Sequence, residues 1–141
     1  MITVQQNKSV VTADFDIALA IVQSLKYNPK GLIQEPLLAP SKSLFFRYRN
    51  WVAEGIWNKQ TFDNAYAPQF LRELKANQST IDKLNEIYRQ SKQGLNISLS
   101  CFCEEESLCH RSIIAGLLQG AGADVNAENN YISYWHAFKQ L

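Results

Sequence analysis

The sequence has no apolar run that approaches the roughly 18 residues needed for a membrane-spanning helix. Its first residues lack the basic stretch followed by an apolar one that marks a signal peptide. Charge of one sign is not in excess either, because 14 basic and 13 acidic residues leave a formal net charge of +1. That balance argues against a nucleic-acid-binding surface and a basic membrane patch. We therefore expect a soluble protein with neither kind of partner.

Cysteine is also scarce, and the three cysteines are clustered in one segment rather than spread along the chain. An odd, clustered set does not make the disulfide framework of a small secreted domain, so we expect a reducing, cytoplasmic setting. A chain of 141 residues, of which 46% are hydrophobic, is long enough to bury a core without such crosslinks. We expect one domain over residues 1–141.

Hydrophobic patterns predict alternating strands and helices along the chain. Strands are predicted over residues 17–22 (where a helix is also permitted), 96–103 and, as a strand or hairpin, 1–12. Helices are predicted over residues 43–55, 59–75, 79–93 and 131–139, and one more runs from the end of a loop at residues 104–108 to residue 119. Pro68 predicts a kink or a break in the helix over residues 59–75. A long loop is predicted over residues 26–43 and a short extended piece over residues 123–126. This order predicts an α/β fold, a small and mostly parallel sheet covered by helices in a Rossmann-like, three-layer arrangement.

The residues that carry chemistry lie in one segment, residues 101–111, between a predicted strand and a predicted helix. It holds all three cysteines, one of the two histidines and three consecutive glutamates. A strand that leads through a short loop into a helix start presents free backbone N–H groups and the positive end of the helix dipole. The segment is therefore the predicted functional site.

The first interpretation of this segment is a site for a small anion, such as a nucleotide or a phosphorylated metabolite, with possible catalysis. Arg111 and the helix N–H groups would hold the anion, and the helix dipole would stabilise a Cys109 thiolate. At least two of the three glutamates should then face solvent. The candidate catalytic residues are Cys109, His110, Cys101 and Glu104, and the candidate ligand-binding residues are Arg111, Ser112, Ser41 and Lys42. This interpretation predicts that Arg111→Ala weakens ligand binding and leaves the melting temperature nearly unchanged.

Two other interpretations remain open. The segment offers four donors of the types that zinc prefers, although their spacing is not that of a familiar zinc finger; they are Cys101, Cys103, Cys109 and His110. Alternatively the segment is structural, with cysteines lining the sheet, a buried and hydrogen-bonded His110 and an Arg111 paired with a glutamate. Ser41 and Lys42 are likewise open to a second interpretation, as a helix cap and a solvated basic face. The aromatic C-terminal helix would cover the sheet edge or form a homodimer.

The sequence resembles domain of unknown function family 488 (DUF488). The resemblance lies in the strand followed by Cys101 and the motif Cys109-His110-Arg111-Ser112, and in the segment Leu-Ala-Pro-Ser-Lys at residues 38–42 before an aromatic and basic helix. It extends over residues 16–125. It implies an α/β domain and no particular activity, and Cys103 departs from the pattern of many relatives. A non-enzymatic thiol-binding, metal-binding or interaction module is the alternative function.

Overall fold

The computed structural model describes residues 1–26 and 29–141 of the chain. Its strands are β1 (Ile2–Gln6), β2 (Ile17–Ala20), β3 (Leu32–Gln34), β4 (Ile97–Cys101) and β5 (Val125–Asn126). They form one sheet in the order β3-β2-β4-β1-β5, in which all neighbouring strands are parallel. The predicted α/β class is confirmed, with a small parallel sheet and helices in a three-layer-like arrangement.

The helices follow the predicted order. They are α1 (Lys42–Ala53), α2 (Lys59–Thr61), α3 (Ala67–Ala76), α4 (Gln78–Lys92), α5 (His110–Ala121) and α6 (Ser133–Lys139). A π-helical turn, Phe62–Tyr66, joins α2 to α3, and Pro68 lies in the first turn of α3. The predicted helix over residues 59–75 is thus interrupted, as its proline indicated. Among the described helices, none combines the length and the apolar character that crossing a membrane requires.

The core forms between the sheet and α5. Ile2 and Val4 of β1 lie in register with Ile97 and Leu99 of β4, and all four are 5% exposed or less. Residues in register point to the same side of a parallel sheet, so these four make one apolar face. Helix α5 is buried without interruption from its first residue to Leu118, and it contacts β1, β4 and β5 as well as α3, α4 and α6. The central position of α5 fixes its N-terminal residues against the end of β4.

Several predicted boundaries differ from those of the structure. The predicted loop over residues 26–43, of which residues 27 and 28 lie outside the described part, contains β3 and a 3-10 turn, Pro36–Leu38. β3 is a short edge strand with only its first residue buried, so it leaves no apolar pattern. Helix α4 begins at Gln78, one residue before the predicted start, because the Asn77 side chain caps it. β4 ends at Cys101, before the predicted residue 103, because neither neighbouring strand offers a pairing residue beyond it.

Candidate functional site

The strand order creates a crevice between the carboxyl ends of β2 and β4. From β2 the chain proceeds to β3 on one side, whereas from β4 it proceeds to β5 on the other side. In open parallel sheets, ligands bind where neighbouring strands send their connections in opposite directions. A cleft of about 990 Å³ lies there, lined by the segment after β2, by the segment after β4 and by α1. The fold therefore places a cavity at the predicted end of the cysteine-bearing strand.

Aromatic side chains form much of the cleft wall. The ring of Trp57 packs edge-on against Tyr48, with centroids 4.8 Å apart, and against Tyr66 at 5.5 Å. Phe45 of α1 and Phe102 after β4 also line the cleft, and they are 46% and 57% exposed. Aromatic faces of this kind stack well against planar ligands. In the sequence, only the spacing of aromatic residues along α1 indicated such a wall, and that spacing fits a helix packed on the core equally well.

The lysine and arginine side chains that line the cleft have no carboxylate beside them in the described lining. They are Lys26, Lys42 and Arg49, and no aspartate or glutamate belongs to the described lining. None of the three forms an ion pair within the described residues. Lys42, a predicted ligand-binding residue, thus belongs to the cleft lining, whereas Lys26 and Arg49 were not among the predicted site residues. Unpaired cations around an apolar cavity favour a ligand with negative charge.

Three thiols meet at the floor of the cleft. The Sγ atoms of Cys101, Cys103 and Cys109 all lie within 4.8 Å of one another, and those of Cys101 and Cys109 are 2.7 Å apart. Cys101 and Cys109 are buried, whereas Cys103 is partly exposed because it lies beyond the last residue of β4. This cluster has the donor atoms to hold a metal ion such as zinc. The structure thus groups three of the four predicted metal ligands, without His110.

Arg111 points into the protein beneath these thiols. The residue is 2% exposed, and its Nη1 donates to Cys101 Sγ at 3.1 Å and to the Cys103 carbonyl at 2.6 Å. Its Nη2 donates to the carbonyl of Glu104 at 3.4 Å, and no carboxylate pairs with it among the described residues. A buried guanidinium without a carboxylate needs another anion to offset its desolvation. Of the three groups that accept from the guanidinium, only the Cys101 thiol can ionise to an anion, because the other two are carbonyls.

Interactions within the cluster shift the pKa values of the three thiols in different directions. Hydrogen bonds from the Cys103 and Cys109 thiols, assisted by the charge of Arg111, lower the pKa of Cys101 well below its usual value. The hydrogen bond to Cys101 raises the pKa of Cys103 to about 12. Burial and the neighbouring Cys101 raise the pKa of Cys109. These shifts do not favour the predicted Cys109 thiolate: hydrogen bonds lower the pKa of Cys101, whereas burial raises the pKa of Cys109.

His110 is the buried, hydrogen-bonded histidine that the structural interpretation predicted. Its Nε2 lies 2.7 Å from the carbonyl oxygen of Ile21, directly after β2. A carbonyl only accepts, so Nε2 carries the proton and donates it. Nδ1 then faces the Cys109 Sγ at 3.7 Å. His110 thereby ties the start of α5 to the end of β2 and lines the cleft beside the thiols.

The remaining predicted residues lie outside the cleft lining. Glu104 is exposed, and its carboxylate is not part of the lining. Ser112 is fully buried, and its hydroxyl donates to the Cys109 carbonyl at 2.8 Å. As predicted for two of the three glutamates, Glu104 and Glu105 face solvent. Glu106 is instead 2% exposed and accepts from the Tyr131 hydroxyl at 2.7 Å, a contact between distant segments that no local pattern indicated.

Ser41 acts as a helix cap, as its second interpretation predicted. Its hydroxyl accepts from the N–H of Leu44 at 3.1 Å and donates to Glu73 at 2.5 Å. We expect Ser41→Ala to lower the free energy of unfolding by about 1 kcal/mol, as is usual for a lost N-cap. Urea denaturation measures this. Ser43→Ala is the matched control, because Ser43 is exposed inside α1 and caps nothing; equal losses in both variants would contradict the capping role.

Comparison with protein families gives one match over most of the chain. Residues 8–122 match the family model DUF488-N3a, described as "Active DUF488-N3 subclade". The matched range includes the whole described cleft lining and the thiol cluster. No curated protein and no solved structure matches the chain.

Proposed function

The chain belongs to the DUF488 family, and on that premise we propose that its cleft binds a small aromatic anion, such as a nucleotide or another phosphorylated metabolite, and presents it to the thiol cluster. The observation that carries the proposal is the charge of the cleft: three cations and no carboxylate in its described lining. In a chain of net charge +1, this local excess is not a consequence of overall composition.

The cations lie beside an apolar wall, and this suits a ligand with a phosphate at one end and an aromatic ring at the other. Lys42 and Arg49 are exposed on α1, whereas Tyr48 and Trp57 form an apolar wall beside them. An aromatic ring would bury apolar surface against that wall, and a phosphate would pair with the cations. A guanidinium such as that of Arg49 pairs with phosphate through two parallel hydrogen bonds.

Catalysis would use the floor of the cleft. Cys101 and Cys103 are candidates for the reactive thiol, since Cys101 is paired with Arg111 and Cys103 is partly exposed. His110 would exchange a proton with Cys109 through Nδ1. Arg111 would act through Cys101 rather than through the ligand, because its guanidinium is turned away from the cleft lining. A cytoplasmic setting would keep these thiols reduced.

Calorimetric titration with AMP and with adenosine tests the proposal, because the two differ only in the phosphate. We expect AMP to bind at least about tenfold more tightly than adenosine. The double substitution Lys42→Ala, Arg49→Ala should strongly reduce this preference, because two of the three cations that line the cleft are lost and only Lys26 remains. Its melting temperature should stay within about 2 °C of wild type, since both side chains are exposed.

Lys8→Ala provides the control for a general change in charge. Lys8 is exposed and lies outside the cleft lining. Its loss should leave the AMP preference intact. Equal affinity of the wild-type protein for AMP and adenosine would reject the anion site, and so would an equal loss of AMP affinity in the Lys8 variant and the double variant.

A second candidate function is a non-enzymatic thiol-binding or metal-binding module, which the grouping of three thiols favours. Such a module depends on the cysteines and does not depend on the cationic rim, which consists of Lys26, Lys42 and Arg49. The AMP titration therefore separates the two: the module predicts no AMP preference and no effect of the Lys42 and Arg49 substitutions.

A further inference from the structure

We infer that Cys101, Cys103 and Cys109 form a binding site for a soft divalent cation of the zinc type, with one coordination position open to the cleft. The inference rests on the thiols and their surroundings, so it is independent of whether the cationic rim binds AMP. It names three protein ligands and assigns the fourth position to solvent or to a ligand in the cleft.

The first support is the position of the sulfurs. Three Sγ atoms within 4.8 Å of one another are close enough to converge on one ion at the Zn–S distance of about 2.3 Å after side-chain shifts of about 1 Å. Two sulfurs on one tetrahedral ion lie about 3.8 Å apart. The Cys101 and Cys109 sulfurs, now 2.7 Å apart, would therefore separate by roughly 1 Å. Cys103 follows the end of β4 and belongs to the loop, which allows its side chain to adjust.

The second support is the charge of Arg111. A divalent cation with three thiolates carries a net charge of −1, which is costly to bury without a counter-charge. The Arg111 guanidinium supplies +1 and already donates to Cys101 Sγ at 3.1 Å. Hydrogen bonds from the surroundings to the ligand atoms orient them and tune the ion. Arg111, which pairs with no carboxylate among the described residues, would thus balance the charge of the ion and its thiolates.

The third support is the direction of the fourth position. All three cysteines line the cleft, and Cys103 is the one that is partly exposed. His110 lies beside Cys109, its Nε2 donates to the Ile21 carbonyl, and its ring nitrogens are not grouped with the three sulfurs. Sites with three protein ligands and an open position are typical of catalytic rather than structural zinc. An ion there would polarise the bound ligand or activate a water molecule.

Cobalt titration of the reduced, chelator-treated full-length protein tests the inference. Tetrahedral Co²⁺ bound to thiolates gives an intense sulfur-to-metal charge-transfer band, whose intensity reports the number of thiolate ligands. We expect the wild-type protein to bind one equivalent, and Zn²⁺ to displace the band. Cys103→Ser should weaken cobalt binding by at least about 100-fold. This variant should fold, because Cys103 is partly exposed and lies outside the strand.

The matched control restores the number of thiols without restoring the cluster. In the double variant Cys103→Ser, Ser79→Cys the third thiol is placed at an exposed position in α4. It should bind cobalt as weakly as Cys103→Ser alone. The inference is overturned if the reduced wild-type protein shows three free thiols and yet no charge-transfer band, or if the Cys103→Ser variant binds as tightly as wild type. The AMP titration tests the anion site and the cobalt titration tests the metal site, so either proposal can be rejected without the other.

Discussion

Replacing Arg111 with methionine should lower the free energy of unfolding by about 3 kcal/mol, which is the loss expected when one partner of a buried charge pair is removed. Methionine fills most of the space but cannot donate to Cys101 Sγ or to the carbonyls of Cys103 and Glu104. The expectation differs from the one that the sequence alone supports, a variant of nearly unchanged stability. The reason is that the structure places Arg111 inside the protein, 2% exposed.

A double-mutant cycle with Cys101→Ala isolates the interaction between the two side chains. If the Cys101 thiolate offsets the charge of Arg111, Cys101→Ala should cost about 1–2 kcal/mol less in the Arg111→Met background than in wild type. Urea denaturation of the four proteins gives this coupling. Additive losses would show that Arg111 stabilises the loop through the two carbonyls alone, and the proposed ion pair would be abandoned.

Gly116→Ala should destabilise the protein by about 3 kcal/mol, at the upper end of the range for overpacking. Gly116 lies in the middle of α5, and a Cβ there would overlap the carbonyl oxygen and carbon of Tyr131. Backbone atoms cannot rotate away as a side chain can, so α6 and the segment before it would have to move. A surface helix would instead gain from this substitution, because alanine favours helix more than glycine does.

Gly55→Ala is the control for the effect of replacing a glycine where the added Cβ meets no other atom. Gly55 has φ of +73° and nothing within 4 Å of the added Cβ, so only backbone strain of about 1 kcal/mol is expected. Thermal and urea denaturation of both variants should show the larger loss for Gly116. A Gly116→Ala protein as stable as wild type would mean that the segment at Tyr131 does not pack on α5 as described.

The predicted dimer remains a prediction. The aromatic residues of α6 that prompted it pack partly within the chain, because a Cβ at Gly120 of α5 would meet the ring of Trp135. Trp135 also stacks on Phe138 at 6.4 Å. The sequence could not distinguish an aromatic helix that covers α5 from one that covers another copy, because both bury the same surface.

The sequence by itself determined the α/β class, the main strands and helices, and the segment that carries the thiols; it also indicated an irregular helix near Pro68, which the structure has as a π-helical turn before that residue. These follow from local patterns: apolar runs, caps, and a strand that leads into a helix start. Family membership was also accessible, because the motif from Cys109 to Ser112 is contiguous in the chain. What these features have in common is that each depends on residues close to one another in sequence.

Tertiary structure alone decided which side chains line the cleft and which are buried beneath it. Arg111 donates hydrogen bonds to Cys101, Cys103 and Glu104. Its burial results from the position of α5 between the sheet and three helices. The cationic rim likewise combines Lys26 with Lys42 and Arg49, which are brought together at one edge of the sheet by the order of β2 and β4. A motif names the residue types of a site, whereas the direction and the charge environment of each side chain come from contacts between distant segments.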